Sequence, residues 1–201
     1  MPNWCYTEYA FYGDENAVKK LGKDIKKFTS KNYMENGFGT NWLGNVVLGY
    51  GFPYEECDFI FRGAIIDFEE NGGVLYVTTE TAWAPMTEMW DAIFEKHFKS
   101  ENGETSIHYV FIAEEPGNEV YINTDIKGEF FPERYILEIE GTPEHQNFES
   151  YYMVNEKNVE DTVNRIFGTD IKTIDEIKIF LEKKHHECPG FISFHEYESV
   201  Y

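Results

Sequence analysis

"DFIFRGAIIDFEENGGVLYVTTE", residues 58–80, is the stretch of sequence that decides the fold. Two runs rich in apolar and β-branched residues flank Asn71-Gly72-Gly73, and glycine accepts the positive φ angles of a tight hairpin turn without a steric penalty. The sequence therefore predicts that a strand over 59–68 pairs with a strand over 74–80. An antiparallel sheet is expected around this hairpin.

Amphipathic helices are predicted on both sides of the hairpin. Before it, apolar residues recur at helical spacing after a capping Asp14: Val18, Leu21, Ile25 and Phe28. After it, Pro85 suits the first turn of a helix, and an apolar stripe follows: Met86, Met89, Trp90, Ile93, Phe94 and Phe98. Both helices are expected to bury one face against the sheet.

Three further strands complete the predicted core. They are "WCYTEYAFYG" at 4–13, "SIHYVFIAEE" at 106–115 and "NEVYINTD" at 118–125. The order strand, helix, strand, strand, helix, strand, strand is that of an antiparallel ferredoxin-like (split β-α-β) fold with two helices on one face. The predicted fold class is α+β.

The chain is predicted to divide after residue 140. Residues 1–140 form the ferredoxin-like core, which includes a Gly-rich excursion at 32–54, interpreted as a long loop, and a further strand in "RYILEIEG". Residues 141–201 are predicted as a β-α-α-β extension packed on the core. Its helices begin after Asn155 and Thr173, which are capping residues.

The charge of the chain favours a basic partner. The formal net charge is -20, while residues 14–31 carry six lysines against three acids and are locally basic. Such a surface repels nucleic-acid phosphates, so no direct binding of nucleic acid is expected. The lysines of the first helix are interpreted as a solvated face. A protein partner, basic in character, is predicted, and a small-molecule ligand is a second possibility.

Nothing in the sequence indicates a membrane or an oxidising compartment. No apolar run reaches the roughly 18 to 20 residues of a membrane span, and "MPNWCYTEYAF" lacks the pattern of a secretory signal. Cys5, Cys57 and Cys188 are far apart and form no C-x-x-C pair. A cytoplasmic location is therefore expected.

Several short motifs occur in a familiar order. They are "MPNWC" at the start, Asn41-Trp42 in the Gly-rich stretch, "TETAWAP" before a helix and "HYVFIAEEPGN". Residues 1–125 resemble phage- and plasmid-associated proteins of unknown function with a ferredoxin-like core. The resemblance implies that fold and a mobile-element or accessory-genome origin. It implies no activity, and it does not extend to residues 141–201.

The motif "TETAWAP" contains the main candidate site. Glu80 ends a predicted strand and Trp83 follows it, and if Trp4 and Trp42 lie nearby, the four residues form an aromatic-walled pocket with an acid. Alternatively, Trp83 closes one end of the core, and Glu80 caps the helix that begins near Pro85.

A catalytic interpretation is also open. Glu80 with Glu114 or Glu115 could form a carboxylate pair for acid–base chemistry, with His108 or His97 as the proton partner. The sequence has no nucleotide-binding, nucleophile-elbow or zinc-protease motif. A hydrolase-type enzyme is therefore kept as an alternative only.

The histidine-rich C-terminal segment does not predict a metal site. His185, His186, Cys188 and His195 are acceptable zinc ligands, but their spacing matches no common zinc finger. Lysine and histidine also gather at helix ends, where cations are favoured. No metal and no cofactor is predicted.

The sequence thus predicts a non-enzymatic interaction protein that binds a basic protein partner or a small ligand. The expected surface comprises Trp4, Trp42, Glu80, Trp83, His108 and Glu114. Alternatives are an acidic DNA mimic, an immunity or inhibitor protein that acts on a basic enzyme, and a hydrolase with paired carboxylates.

Overall fold

The computed structural model describes residues 3–30, 38–100, 102–143 and 145–199. The protein is an α+β structure with antiparallel strands and forms two compact units, residues 1–122 and 123–201. Each unit has its own apolar core. The predicted boundary after residue 140 differs from this division, because residues 135–140 are the central strand of the second unit's sheet.

In the part of the chain that the structure describes, the first unit contains one five-stranded sheet and three α-helices. In chain order its elements are β1 (Trp4–Gly13), α1 (Glu15–Phe28), α2 (Leu43–Gly49), β2 (Gly63–Asn71), β3 (Val74–Ala82), α3 (Thr87–His97), β4 (Ile107–Glu115) and β5 (Val120–Asn123). The strands lie side by side in the order β2-β3-β1-β4-β5. The recorded pairings of β1 with β3, β1 with β4 and β2 with β3 are all antiparallel.

The hairpin predicted from residues 58–80 is confirmed in its pairing. Gly72 and Gly73 both have positive φ angles, and Asn71 faces Val74 across the turn. The first paired strand begins at Gly63 rather than at residue 59. Residues 59–62 therefore lie outside the sheet, which matters for the candidate site below.

One face of this sheet is covered by the three helices. Alternate residues of β1, among them Tyr9 and Phe11, pack with buried residues of α1, α2 and α3 in one cluster. Successive side chains of a strand point to opposite faces, so Trp4, Tyr6 and Glu80 lie on the other face. That second face contributes to the candidate site.

The Gly-rich stretch 32–54 is not simply a loop. Residues 32–37 lie outside the described part of the chain, but α2 occupies residues 43–49. Leu43, Val46 and Val47 are buried at helical spacing, which explains why a short helix forms between the glycines. Trp42 precedes this helix and is 7% exposed.

Among its described residues, the second unit contains a three-stranded antiparallel sheet and two α-helices. Its elements are β6 (Tyr135–Glu140), β7 (Glu149–Met153), α4 (Glu156–Phe167), α5 (Ile174–Glu187) and β8 (Phe191–Glu196). Central β6 pairs with β7 on one side and β8 on the other. Leu137, Val159, Ile177 and their neighbours form its core.

Three helices begin at predicted capping residues. Asp14 accepts a hydrogen bond from Ala17 N at 2.9 Å, and Asn155 and Thr173 accept similar bonds at the starts of α4 and α5. Each bond satisfies a backbone N–H that has no partner within its helix.

Within the described part of the chain, every helix is too short or too polar to cross a membrane.

The buried tyrosines predict a loss of stability at high pH. Burial raises the pKa of Tyr9 above its ordinary value, so the folded protein keeps a phenol proton that the unfolded chain loses above about pH 10. Stability is therefore full below that pH and falls by about 1.4 kcal/mol per pH unit for this tyrosine as pH rises further. Denaturant unfolding between pH 9 and 11.5 measures this slope.

Tyr9→Phe should reduce the slope, whereas Tyr6→Phe provides the control on the same strand. Tyr6 is 51% exposed on the opposite face of the same strand, so its substitution removes a phenol without disturbing the buried core. Equal slopes for the wild type and Tyr9→Phe would refute the link between burial and alkaline instability.

Candidate functional site

The strand register brings the predicted acid and the predicted aromatic residues together. Trp4 faces Ala82, and Tyr6 faces Glu80, across the pairing of β1 with β3. Glu80 in turn faces Ala64 of β2, which forms a bridge with Trp42. Trp4, Tyr6 and Glu80 therefore lie on the sheet face that the helices do not cover, and the bridge brings Trp42, a residue of the buried core, to the same edge of the sheet.

Trp4, Trp42 and Glu80 line a common cavity of about 560 Å³, here called the first cavity. This volume suits a drug-sized molecule or a large side chain. Its walls are mainly rings: Trp4, Phe38, Trp42, Tyr54, Phe59 and Phe61. Trp42 anchors them, since its ring centroid lies 5.2 Å from that of Phe38 and 5.9 Å from that of Phe61.

Trp83 lines a neighbouring hollow of about 290 Å³, here called the second cavity. Pro85, Met86 and Glu88 contribute to the same hollow. Ile60, Arg62 and Ala82 line both cavities and so form the ridge between them. The two cavities and this ridge are called the aromatic surface below.

The segment before β2 supplies the ridge because its side chains alternate. Phe59 and Phe61 are each 9% exposed and point inward, whereas Ile60 is 61% exposed. Gly63 then brings the chain close to β3, since a Cβ atom at this position would lie 2.4 Å from the Glu80 carbonyl oxygen. A side chain at Gly63 would therefore displace the ridge.

Trp83 is held in an unfavourable backbone conformation. Its φ angle is +76°, in the left-handed region that bulky residues rarely adopt, and its N–H donates to the Asn3 carbonyl oxygen at 3.0 Å. The side chain is 47% exposed, so it does not close the core. The strain is therefore not offset by full burial of the indole, and strained residues of this kind concentrate at functional sites.

The aromatic surface is negatively charged. Glu80 and Glu88 line the cavities, and Glu55, Glu56 and Asp58 lie on the adjoining segment; all five are exposed. None of the five forms an ion pair with another described residue. Among the described lining residues, Arg62 is the one cation.

The pKa of a neighbouring thiol reflects this negative charge. Cys57 lines the first cavity, and its pKa is raised by partial burial and then by the carboxylates of Asp58, Glu56 and Glu55. The raised pKa keeps the thiol protonated near neutral pH, and its Sγ donates to the Pro53 carbonyl oxygen at 3.3 Å. Cys57 is therefore part of the wall rather than a reactive group.

Two of the predicted surface residues lie away from the cavities. Glu114 faces Tyr6 on the same sheet face as Glu80, but two strands from it, about 10 Å apart at the Cα atoms. His108 faces Tyr12, six residues along β4 and about 20 Å from Glu114. Neither residue lines either cavity.

The structure also separates the alternative catalytic partners. Glu115 is 2% exposed on the helix side of the sheet, where its Oε1 accepts from Gly117 N at 2.9 Å, so it does not pair with Glu80. His97 Nε2 lies 2.7 Å from the Tyr50 carbonyl oxygen. Among the described residues that line the first cavity with Glu80, none is a histidine.

The C-terminal histidines have separate hydrogen-bond partners. His185 Nδ1 accepts from Ile192 N at 3.3 Å, and His195 Nε2 lies 2.5 Å from Ser193 Oγ. In the described ranges, no three His, Cys, Asp or Glu side chains are grouped as metal ligands would be.

Sequence reasoning missed several residues of the aromatic surface: Phe38, Tyr54, Ile60, Arg62 and Glu88. The inward and outward alternation of Phe59, Ile60, Phe61 and Arg62 was a usable signal, since it marks two exposed side chains next to two buried rings.

Comparison with known proteins adds no relative to this description. No protein-family model, no curated protein and no solved structure matches the chain. The fold and the site together define an α+β protein with two antiparallel sheets and an exposed, acidic aromatic surface on its first unit.

Proposed function

We propose that the protein is a non-enzymatic binding protein that captures a basic protein partner on its aromatic surface. The observation that supports this proposal is that exposed aromatic side chains and exposed acids surround the same two cavities. Exposed apolar patches with polar rims are typical of interaction sites. The acids supply the charge that attracts and orients a basic partner.

The clustering of exposed apolar residues supports this function. Five large apolar side chains that are 47–65% exposed line the two cavities: Trp4, Phe38, Tyr54, Ile60 and Trp83. Single exposed apolar residues need no explanation, but a contiguous group of aromatic residues is unusual on a surface. Tryptophan and tyrosine are also the residues that contribute most to binding energy at protein interfaces.

We also propose that the first unit has a ferredoxin-like core. The adjacent order β4-β1-β3-β2, with α1 before β2 and α3 before β4, supports this proposal because it is the order of a split β-α-β fold. β5 extends the sheet beyond β4. In this arrangement the aromatic surface lies at the edge formed by β2 and β3.

Selection from a random dodecapeptide display library on the immobilised protein tests the proposed function. We expect the selected peptides to be enriched in lysine, arginine and large apolar residues, because these complement the charge and the cavities. A matched selection on Trp4→Ala/Glu80→Lys should not enrich these peptides.

The control variant is Ile179→Ala, which removes a 67% exposed apolar residue from the second unit. It should select the same peptides as the wild type. Failure of the wild type to enrich basic peptides, or equal enrichment by the double variant, would contradict the proposed function.

A further inference from the structure

We infer that the aromatic surface binds an extended basic peptide segment that places two apolar side chains, two positions apart, in its two cavities. This inference rests on the proposed function and specifies the chemistry of the partner. It commits to a peptide rather than to a folded surface or a small molecule.

The two cavities share a narrow ridge. Ile60, Arg62 and Ala82 each line both cavities, so a single row of side chains separates the first cavity from the second. Residues two apart on an extended peptide point the same way and lie about 7 Å apart, which is enough to pass over one side chain. A peptide that crosses the ridge can therefore place one side chain on each side of it.

The sizes of the cavities distinguish the two side chains. The first cavity, at about 560 Å³ and lined by six rings, accepts an aromatic side chain. The second, at about 290 Å³, is lined by Pro85, Met86 and Trp83 and suits an aliphatic one. Both cavities are open to the same ridge, so one short segment can fill both.

Each cavity has its own acid. Glu80 lines the first and Glu88 the second, and neither carboxylate has a partner among the described residues. Basic side chains that flank the two apolar residues of the peptide would reach these acids. Charge complementarity of this kind selects a basic segment over an acidic one.

Arg62, on the ridge, binds the peptide backbone rather than a side chain. Its guanidinium carries five N–H donors, and no acceptor for them is recorded in the described part of the chain. A peptide that crosses the ridge presents a backbone carbonyl oxygen there, which can accept a hydrogen bond. Arg62 therefore orients the peptide backbone by hydrogen bonding, while Glu80 and Glu88 select basic flanking side chains.

The test uses three fluorescein-labelled peptides in a polarisation titration. The matching peptide contains Lys-Leu-Ser-Phe-Lys between glycines, and the permuted peptide contains Lys-Ser-Leu-Phe-Lys, whose apolar side chains point to opposite sides when extended. The acidic peptide replaces both lysines with glutamates. We expect the matching peptide to bind about tenfold or more tightly than the permuted one, since the latter buries one apolar side chain fewer.

Variants of the protein test which of its side chains contact the peptide. Glu80→Gln and Glu88→Gln should each weaken the matching peptide several-fold at low salt and lose this effect at high salt. The uncharged probe N-phenyl-1-naphthylamine should bind the first cavity and be displaced by the matching peptide.

The possible results separate the inference from the proposed function. Equal affinity for the matching and permuted peptides overturns the two-cavity inference, while the proposed function stands if both bind more tightly than the acidic peptide. Binding of N-phenyl-1-naphthylamine that the matching peptide does not displace also overturns the inference. Failure of both basic peptides to bind overturns the inference and contradicts the proposed function.

Discussion

Trp90→Ala is expected to lower the free energy of unfolding of the first unit by about 3–5 kcal/mol. Trp90 is 0% exposed, and its ring centroid lies 4.9 Å from that of Phe11 and 6.0 Å from that of Tyr9. Truncation leaves a cavity between α3 and β1 that these rings cannot fill, because interiors are close-packed. Chemical denaturation followed by far-ultraviolet circular dichroism measures the loss.

The control for this variant is Ile60→Ala. Ile60 is also a large apolar residue of the first unit, but it is 61% exposed and should change stability by less than about 0.5 kcal/mol. Comparable losses in the two variants would show that the core is not organised around α3 and β1.

Trp83→Gly is expected to weaken peptide binding without lowering the stability of the protein. Glycine adopts positive φ angles freely, so the change should leave stability unaltered or raise it by up to about 1 kcal/mol. The same change removes the indole from the second cavity. Binding of the matching peptide should weaken by about 30-fold or more, as for the loss of an interface hot spot.

The control for Trp83→Gly lies at the other non-glycine residue with positive φ in the described part of the chain. Glu119 has φ +57° and lines neither cavity, so Glu119→Gly should relieve strain without any loss of binding. A large loss of stability in Trp83→Gly would indicate instead that this tryptophan stabilises the folded state.

Local chemistry explains how much of the fold was predictable. The Asn71-Gly72-Gly73 turn and the caps at Asp14, Asn155 and Thr173 depend on neighbouring residues only, so the sequence predicts them directly. The strand at 135–140 was also recognisable from its alternation. Its assignment to the second sheet was not, because strand pairing depends on contacts with residues 149–153 and 191–196.

The candidate site was predictable only where it depends on local sequence patterns. Trp4, Glu80 and Trp83 follow from the ends of predicted strands, and the structure brings Trp42 to them through its bridge with Ala64. Ile60 and Arg62 were missed because residues 59–62 have the composition of a paired strand. They leave the sheet at Gly63, where the chain passes close to Glu80, and this approach depends on three-dimensional contacts.

The central claim is that the aromatic surface captures a basic partner, and library selection with parallel baits measures it most directly. The wild type should enrich peptides that carry lysine or arginine beside large apolar residues, and Trp4→Ala/Glu80→Lys should lose them while Ile179→Ala retains them. Selection of peptides without basic residues, or of the same peptides by the wild type and the double variant, would contradict the claim.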